Sequence, residues 1–506
     1  MNLRNFWSSD FPASIVVFLV ALPLCLGIAL ASGAPLFSGL LAGIVGGLVV
    51  GALSGSPLSV SGPAAGLTTI VAAAITDIGS FNGFLLSVVL AGVVQIILGF
   101  VKAGSIGHFF PVSVIKGMLA GIGLILILKQ IPHAVGYDAD FEGDEAFFQT
   151  DGRNTFSEIF ESLYYVTPGA IVISVVSILI LIAWNSNALL RFRFFRIVPA
   201  PLFVVLMGVA LNAFFHVAAP AFTIDARHLV SLPSWSAEAG ISSYLTFPDF
   251  SLWQNPKVYV AAFTLAIVAS LETLLSIEAC DKMDPAHRST PLNRELKAQG
   301  AGNLISGLLG GLPVTSVIVR SSANVNAGAR SKASAISHAS ILLLSVLLIP
   351  QVLRLIPLSC LAGILLVTGY KLTKPSAFKE MFKKGYAQFL PFVVTVLAVV
   401  FTNLLKGVFI GLVVALFFIL KTNFQKAIIL VSDNGKYLLR FTKDVSFLHK
   451  AALRESLTKI PNDSQVIIDG SQAAFIDADI RETIGDYLVL ARAKNISVEL
   501  QGINIL

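Results

Sequence analysis

Glu272 is the only charged residue in the apolar run Val258–Ser276 (VYVAAFTLAIVASLETLLS), a stretch long enough to cross a bilayer. A carboxylate at that depth costs roughly 2.5–3.5 kcal/mol on insertion scales and persists only where it faces a cavity, a partner or an ion. The chemistry open to it is to hold a proton or a hard cation. Ser276 lies one helical turn on, on the same face, and Thr315 and Ser316 bring further hydroxyls from a later segment. Arg320 supplies the opposite sign. Its five donors can hold an oxyanion, pair with Glu272, or snorkel to the interface, and the residues alone leave these roles open. A carboxylate close to a bound anion repels it unless a proton, Arg320 or a cation such as Na⁺ neutralises the acid, so cation coupling is expected. Glu278 and Asp281 sit nearer the membrane edge, where headgroups and water solvate them.

Two interrupted spans must position these groups. The third and tenth apolar runs are broken by polar, helix-weak sequence, SVSGPAAG at Ser59–Gly66 and PVTSVIVRSS at Pro313–Ser322. Backbone left unpaired at membrane depth is tolerated only where it lines a cavity. If helices restart after each break, their N-termini converge from opposite sides, and their N–H groups and positive dipole ends make an anion site. The candidate substrate-binding residues are therefore Ser61, Gly62, Pro63, Ala64 and Ala65 on one side and Val317, Ile318, Val319 and Arg320 on the other. Each break follows a matching segment, GALSGSPLS at Gly51–Ser59 and GLLGGLPVT at Gly307–Thr315, at one constant offset with seven spans between them. An odd number of spans per repeat gives the copies opposite orientation in the membrane.

Composition agrees with a polytopic membrane protein: 55% of residues are hydrophobic and 13% charged, against about 25% charged in soluble domains, and the mean hydropathy is +0.82. No Lys, Arg, His, Asp or Glu occurs between Asp10 and Asp77. That region continues as apolar sequence rather than ending in a cleavage site, so no signal peptide is expected. Fourteen apolar runs, near 13–33, 36–54, 57–76, 84–101, 111–131, 166–184, 197–216, 258–279, 298–310, 314–328, 336–352, 355–370, 387–403 and 405–420, fit one orientation. Arg191, Arg193 and Arg196, then Lys282, Arg288, Arg294 and Lys297, then Arg330 and Lys332, then Lys371, Lys374, Lys379, Lys383 and Lys384 all fall on one side, which the positive-inside rule makes cytoplasmic. The loop with Asp138, Asp140, Glu142, Asp144, Glu145 and Asp151 against Arg153 then lies outside, and both termini lie inside. The net charge of +6 is explained by this topology rather than by nucleic acid. Cys25, Cys280 and Cys360 show no metal-ligand spacing and read as packing residues.

After about Thr422 the sequence turns polar. KYLLRF, DVSFLHK, QVIID and ISVEL predict short strands, and Ala451–Lys459 and Asp479–Lys494 carry helical periodicity, giving a small cytoplasmic α/β domain over 422–506 behind a transport domain over 1–421.

At these residues the chain resembles the SulP family of inorganic anion transporters over nearly its whole length. The resemblance runs through Ala21–Pro23 (ALP), Ser61–Pro63 (SGP), Ser270–Ser276 (SLETLLS), Gly311–Pro313 (GLP) with Arg320, and Asn324–Gly328 (NVNAG). The tail, with Val466–Asp469 (VIID) and Phe475–Asp477 (FID), resembles a STAS domain. What the resemblance implies is an all-α, uracil-permease-like membrane fold, a 7+7 inverted repeat of fourteen segments with two half-helices. In it a core (segments one to four and eight to eleven) moves against a gate (segments five to seven and twelve to fourteen), often within a homodimer. It implies an integral protein of the bacterial inner membrane that moves bicarbonate, sulfate or a related anion. It further implies a Na⁺ site at Glu272, Ser276, Ser316 and Ile318. Here Glu stands in place of Asp and Ser in place of Thr, and Ile318 takes the place of a helping Thr, so the longer acid is equally a proton site. Cation-coupled bicarbonate uptake is the expectation, with an oxyanion–proton symporter, an exchanger or a channel as alternatives. Asp477-Ala478-Asp479 lacks the Ser phosphorylated in regulatory STAS proteins, so a shortened domain serving assembly is expected. A nucleobase permease would call for further carboxylate or amide partners at the second break. An enzyme is disfavoured because no nucleophile–base pair or metal cluster is legible, and no organic cofactor is expected.

Overall fold

The computed structural model describes residues 6–139, 147, 153–184, 186, 189–192, 194–195, 198–230, 245–424, 427–433 and 435–504. Asp140, Glu142, Asp144, Glu145, Asp151, Arg193 and Arg196 lie outside them. Among the described residues the main helices are α1 (Phe11–Ala31), α2 (Leu36–Leu53), α3 (Thr68–Ile78), α4 (Phe81–Phe100), α5 (Val112–Val135), α6 (Pro168–Trp184), α7 (Ala200–Ala218), α8 (Pro256–Met283), α9 (Leu292–Leu309), α10 (Ile318–Asn326), α11 (Ala333–Leu348), α12 (Leu358–Leu372), α13 (Tyr386–Phe401) and α14 (Leu404–Phe424). Six of these are long and apolar enough to cross a membrane. The third and tenth apolar runs each split into a three-residue strand, β1 (Ser61–Pro63) and β2 (Val314–Ser316), and a short helix, α3 or α10.

α1–α4 and α8–α11 pack mainly among themselves, with α9 against α4 and α11 against α1. α12 and α13 pack on α5, and α12 on α6. The basic turns meet at one end of the membrane unit. Arg288 donates to the Arg330 carbonyl at 2.8 Å, Arg294 to the Leu53 carbonyl at 2.9 Å and Lys332 to the Ala52 carbonyl at 2.8 Å. Asp10 accepts from the Arg330 and Ser331 amides, joining the start of α1 to the same end. In the turn after α8, hydrogen bonds from Arg288 hold the Asp284 carboxyl below the usual carboxylate range. Beyond α5, burial alone raises the carboxyl of Asp138, but hydrogen bonds from His133 and His228, each 2.5 Å, outweigh it and hold the group low.

α9 begins six residues before the apolar run that announces it, because its first turns carry Asn293, Arg294, Glu295 and Lys297; on the inner face Glu295 is followed one turn on by Gln299. With Asn303 and Ser306 these repeat at helical spacing, so one polar stripe faces inward and all four residues are buried. Asn303 is the central strut. It accepts from the Val314 amide at 2.5 Å and donates to the Val314 carbonyl at 2.9 Å and to Gln95 of α4 at 2.6 Å. Gln95 in turn donates to Ser270 of α8 at 3.2 Å. Gln299 donates to Ser61 at 2.7 Å, so α9 holds both strands.

The chain divides into compact units Met1–Leu412 and Val413–Leu506. The second contains a four-stranded sheet in the order β3 (Ile428–Asp433), β4 (Lys436–Phe441), β5 (Gln465–Asp469), β6 (Ser497–Gln501), with β3 antiparallel to β4 and the other pairs parallel. Helices α15 (Lys450–Thr458) and α16 (Ala478–Ala493) complete its core. DVSFLHK is not the expected strand. Val445 makes a single bridge to Ile476, and Ser446 then starts a tight turn by donating its amide to His449 at 3.0 Å. The strand taken for granted there is instead Ile428–Asp433, whose apolar residues merge in sequence with those of α14. Asp477 caps α16, accepting from the Asp479 and Phe447 amides.

Replacing Asn303 with Leu orphans the Val314 amide and carbonyl and a Gln95 oxygen in a dry interior, at about 1–3 kcal/mol for each group. A clearly lowered melting temperature in detergent is expected; a melting temperature equal to that of the parent would show that the strut is dispensable.

Candidate functional site

β1 and β2 run antiparallel, with Ser61 opposite Ser316, Gly62 opposite Thr315 and Pro63 opposite Val314, and the Val317 amide donates to the Val60 carbonyl at 3.0 Å. Two segments that leave the helical state thus satisfy each other's backbone, which a lone break in hydrocarbon could not do. Because the strands are antiparallel and each feeds a helix, α3 and α10 start at the crossing and run away from it in opposite directions. Pro63 has no N–H to offer, and the paired register does not ask for one at a helix start. Side chains lock the ribbon. Ser59 and Ser316 hydroxyls pair at 2.6 Å, the Val60 amide donates to Ser321 at 3.0 Å, Asn324 donates to the Leu58 carbonyl at 2.8 Å, and the Ser316 amide donates to Thr273 of α8 at 3.3 Å.

Arg320 lies in the first turn of α10, fully buried, and no oxygen or nitrogen among the described residues accepts from its three guanidinium nitrogens, the weakly accepting Cys25 thiol lying beside them. It is therefore not bonded to Glu272, and it does not reach an interface. Gly62 is the reason it fits: a Cβ there would lie 2.2 Å from Nη1. Cys25 of α1 and His338 of α11 are its other close neighbours. A buried guanidinium is destabilising by several kcal/mol unless it is paired, and at a helix start the dipole adds repulsion rather than relief. Such a group calls for an anion.

Glu272 is 4% exposed and faces the other helix start: a Cβ on Gly66 would lie 3.0 Å from its Oε1. Ser276 is buried one turn further along α8, and Ser316 and Ile318 are buried at the crossing. Of this expected cation set, Ser316 turns its hydroxyl to Ser59, and Ile318 has no side-chain oxygen to give. Among the described residues no three acid, His or Cys side chains gather as a metal-binding cluster. A hard cation would therefore be held by the Glu272 carboxylate with hydroxyl and carbonyl oxygens, a donor set that suits Na⁺ and equally leaves room for a proton. Ser61, Gly62, Pro63, Ala64 and Ala65 line up along β1 and the turn into α3, and Val317, Ile318 and Val319 lead into α10. Sequence reasoning missed Cys25, Gln95, Thr273, Gln299, Asn303, Ser321 and His338. The polar stripe on α9 was the available signal for two of them.

A cavity of about 440 Å³ reaches α10 from the side of the basic turns, lined by Val16 of α1, Leu181 and Trp184 of α6, Ala323 and Asn326 of α10 and Lys371 of α12. The model of the sulfate permease family matches residues 7–395. The chain belongs to the sulfate permease family. It is a membrane anion transporter rather than an enzyme, as that membership entails. It is 29% identical to "Putative sulfate transporter YvdB" of Bacillus subtilis (strain 168), over 83% of this chain and 74% of that one. To the bicarbonate transporter BicA of Picosynechococcus sp. it is 26% identical, over 82% and 70%. Among solved structures it is similar to that of SLC26A9, with a TM-score of 0.69 at 16% identity over 98% of this chain and 84% of that one. It is likewise similar to the transmembrane domain of a cyanobacterial BicA, with a TM-score of 0.54 at 22% identity over 82% and 98%. These two likenesses establish the transporter fold.

In this family member Gly62→Ala tests the placement of Arg320. The methyl clashes only with the far end of the Arg320 side chain, the nearest backbone atom, Gly43 Cα, lying at an ordinary 3.6 Å, so the guanidinium swings aside while the fold holds. Anion affinity is expected to fall about tenfold or more with little change in melting temperature. Unchanged affinity would place the anion elsewhere.

Proposed function

We propose that this transporter carries a small inorganic anion, bicarbonate foremost, into the cell by alternating access, with a cation at Glu272 as the coupling ion. The observation that carries the reading is the buried guanidinium of Arg320, from which no oxygen or nitrogen among the described residues accepts, at a break flanked by two helix starts. Each helix start contributes roughly half a positive charge, so with Arg320 and an ionised Glu272 the site holds about one net positive charge, which suits a monoanion. Neutralising Glu272 with Na⁺ or a proton raises that to about two and strengthens anion binding. This is the physical content of symport: each ligand favours the other.

In this reading α1–α4 with α8–α11 move as the core against a gate of the remaining helices, and the cavity at Lys371 is the cytoplasmic vestibule, its cation drawing anions inward. Both termini are cytoplasmic, the membrane is the bacterial inner membrane, and the transporter works as a homodimer with its STAS-like unit, from about residue 422, serving assembly. Similarity to YvdB favours sulfate as the second substrate.

Uptake of labelled bicarbonate and sulfate into proteoliposomes, with Na⁺ and pH gradients imposed one at a time, tests the proposal. Arg320→Ala is expected to raise the anion KM at least about tenfold. Glu272→Gln is expected to leave only downhill movement. Accumulation indifferent to both gradients would refute the coupling, and a KM unmoved by Arg320→Ala would refute the site.

A further inference from the structure

His338 is fully buried on α11, with Nδ1 2.5 Å from the Ala335 carbonyl. A carbonyl only accepts, so Nδ1 carries the hydrogen, and in a neutral ring Nε2 is left as a bare lone pair. A second cation this deep, next to the Arg320 guanidinium, would have nothing to offset it. Nε2 has no hydrogen-bond partner among the described residues. Two orphaned groups of complementary type, a lone pair and a set of guanidinium donors, are thus buried in one neighbourhood.

Both groups lie against the glycine face of α2. A Cβ on Gly43 would lie 3.7 Å from Arg320 Nη1, and one on Gly47, a single turn along, 2.8 Å from His338 Cε1. One helical turn is about 5.4 Å, so the two groups flank neighbouring turns of one helix. Cys25 Sγ, which a Cβ on Gly43 would approach to 2.6 Å, is a further polar atom there, and beside a guanidinium it can act only as a weak acceptor.

Resting on the anion site proposed at Arg320, we propose that His338 is a specificity-determining residue that selects an oxyanion bearing a hydroxyl. Bicarbonate fits: its two acceptor oxygens take the guanidinium donors and its O–H donates to Nε2. Nitrate has nearly the same size, plane and charge but no hydrogen, so it leaves Nε2 unpaired with an oxygen lone pair facing it. Sulfate stands in the same relation to hydrogen phosphate. A site built around a buried hydrogen-bonding group rejects an analogue that lacks the matching group far more strongly than size alone permits.

The test uses the full chain in proteoliposomes at one mildly alkaline pH, reading the KM for labelled bicarbonate and inhibition by nitrate, sulfate and hydrogen phosphate. Thermal stabilisation by the same four anions in detergent serves as a readout that does not need transport. In the parent protein bicarbonate is expected to bind about tenfold or more tightly than nitrate, and hydrogen phosphate more tightly than sulfate. His338→Leu is expected to abolish both preferences, weakening the hydroxyl-bearing anions while leaving nitrate and sulfate unmoved. His338→Gln, whose amide oxygen accepts, is expected to keep part of them. Equal binding of nitrate and bicarbonate by the parent overturns the proposal even if His338→Leu does not fold. Loss of all four anions by the same factor in His338→Leu overturns it too, marking the residue as structural. Arg320→Ala separates the two levels: if it binds all four anions as the parent does, the site itself falls, whereas a general loss there with preferences untouched by His338→Leu sinks the selectivity alone.

Discussion

The antiparallel contact between β1 and β2 is the constraint on which the membrane unit depends. Hydrocarbon offers no substitute for a missing backbone hydrogen bond, so a helix broken at its midpoint needs its partners from within the protein, here from a second broken helix and the side chains around it. Most buried polar side chains near the crossing serve this bargain. Asn303 closes the exposed backbone of Val314, Ser321 takes the Val60 amide, Thr273 takes the Ser316 amide and Asn324 takes the Leu58 carbonyl. The polar stripe of α9 is in this sense part of the ribbon, although it lies on an unbroken helix.

With the backbone satisfied locally, the Arg320 guanidinium stands out as the charge that no hydrogen bond from the ribbon satisfies. Arg320 is fully buried between β1, α1, α2 and α11, and no oxygen or nitrogen among the described residues accepts from it. Glu272 is held against the start of α3. The two opposite charges thus sit at different helix starts instead of cancelling in one salt bridge. A salt bridge would have been the easier way to bury them, and it would have left nothing for an anion or a cation to do.

Much of this was legible in the sequence, for reasons that differ from residue to residue. Glu272 and Arg320 stood out because charge in an apolar run has few explanations, and Gly62-Pro63 and Pro313 marked the breaks because those residues weaken helices. The apolar runs placed the helices well except where a helix begins in polar sequence, as at Asn293–Lys297, which hid the start of α9. Cys25, His338 and the glycines of α2 gave no signal, since their meaning arises only when three helices meet around a guanidinium. In the tail, Ile428–Asp433 was hidden by its continuity with α14, and the alternation in DVSFLHK was spent on one bridge and a turn.

The offset that relates GALSGSPLS to GLLGGLPVT also has a geometric counterpart in the register. Ser61 opposite Ser316 falls one residue short of that offset and Val60 bonded to Val317 one residue beyond it, so the local two-fold axis of the ribbon passes between these pairs, where the repeat places it. The same offset carries Ala64 onto Arg320. The backbone around the crossing is therefore close to symmetric, while its charge is not: one half presents a buried methyl and the other a buried cation. Two-fold symmetry explains how two breaks can pair, but a symmetric site would put a guanidinium on each side and overfill a space made for one small anion. Confining the cation to α10 leaves the α3 side for Glu272. On the proposed reading, a site assembled from two like halves thereby acquires separate places for an anion and for a coupling ion.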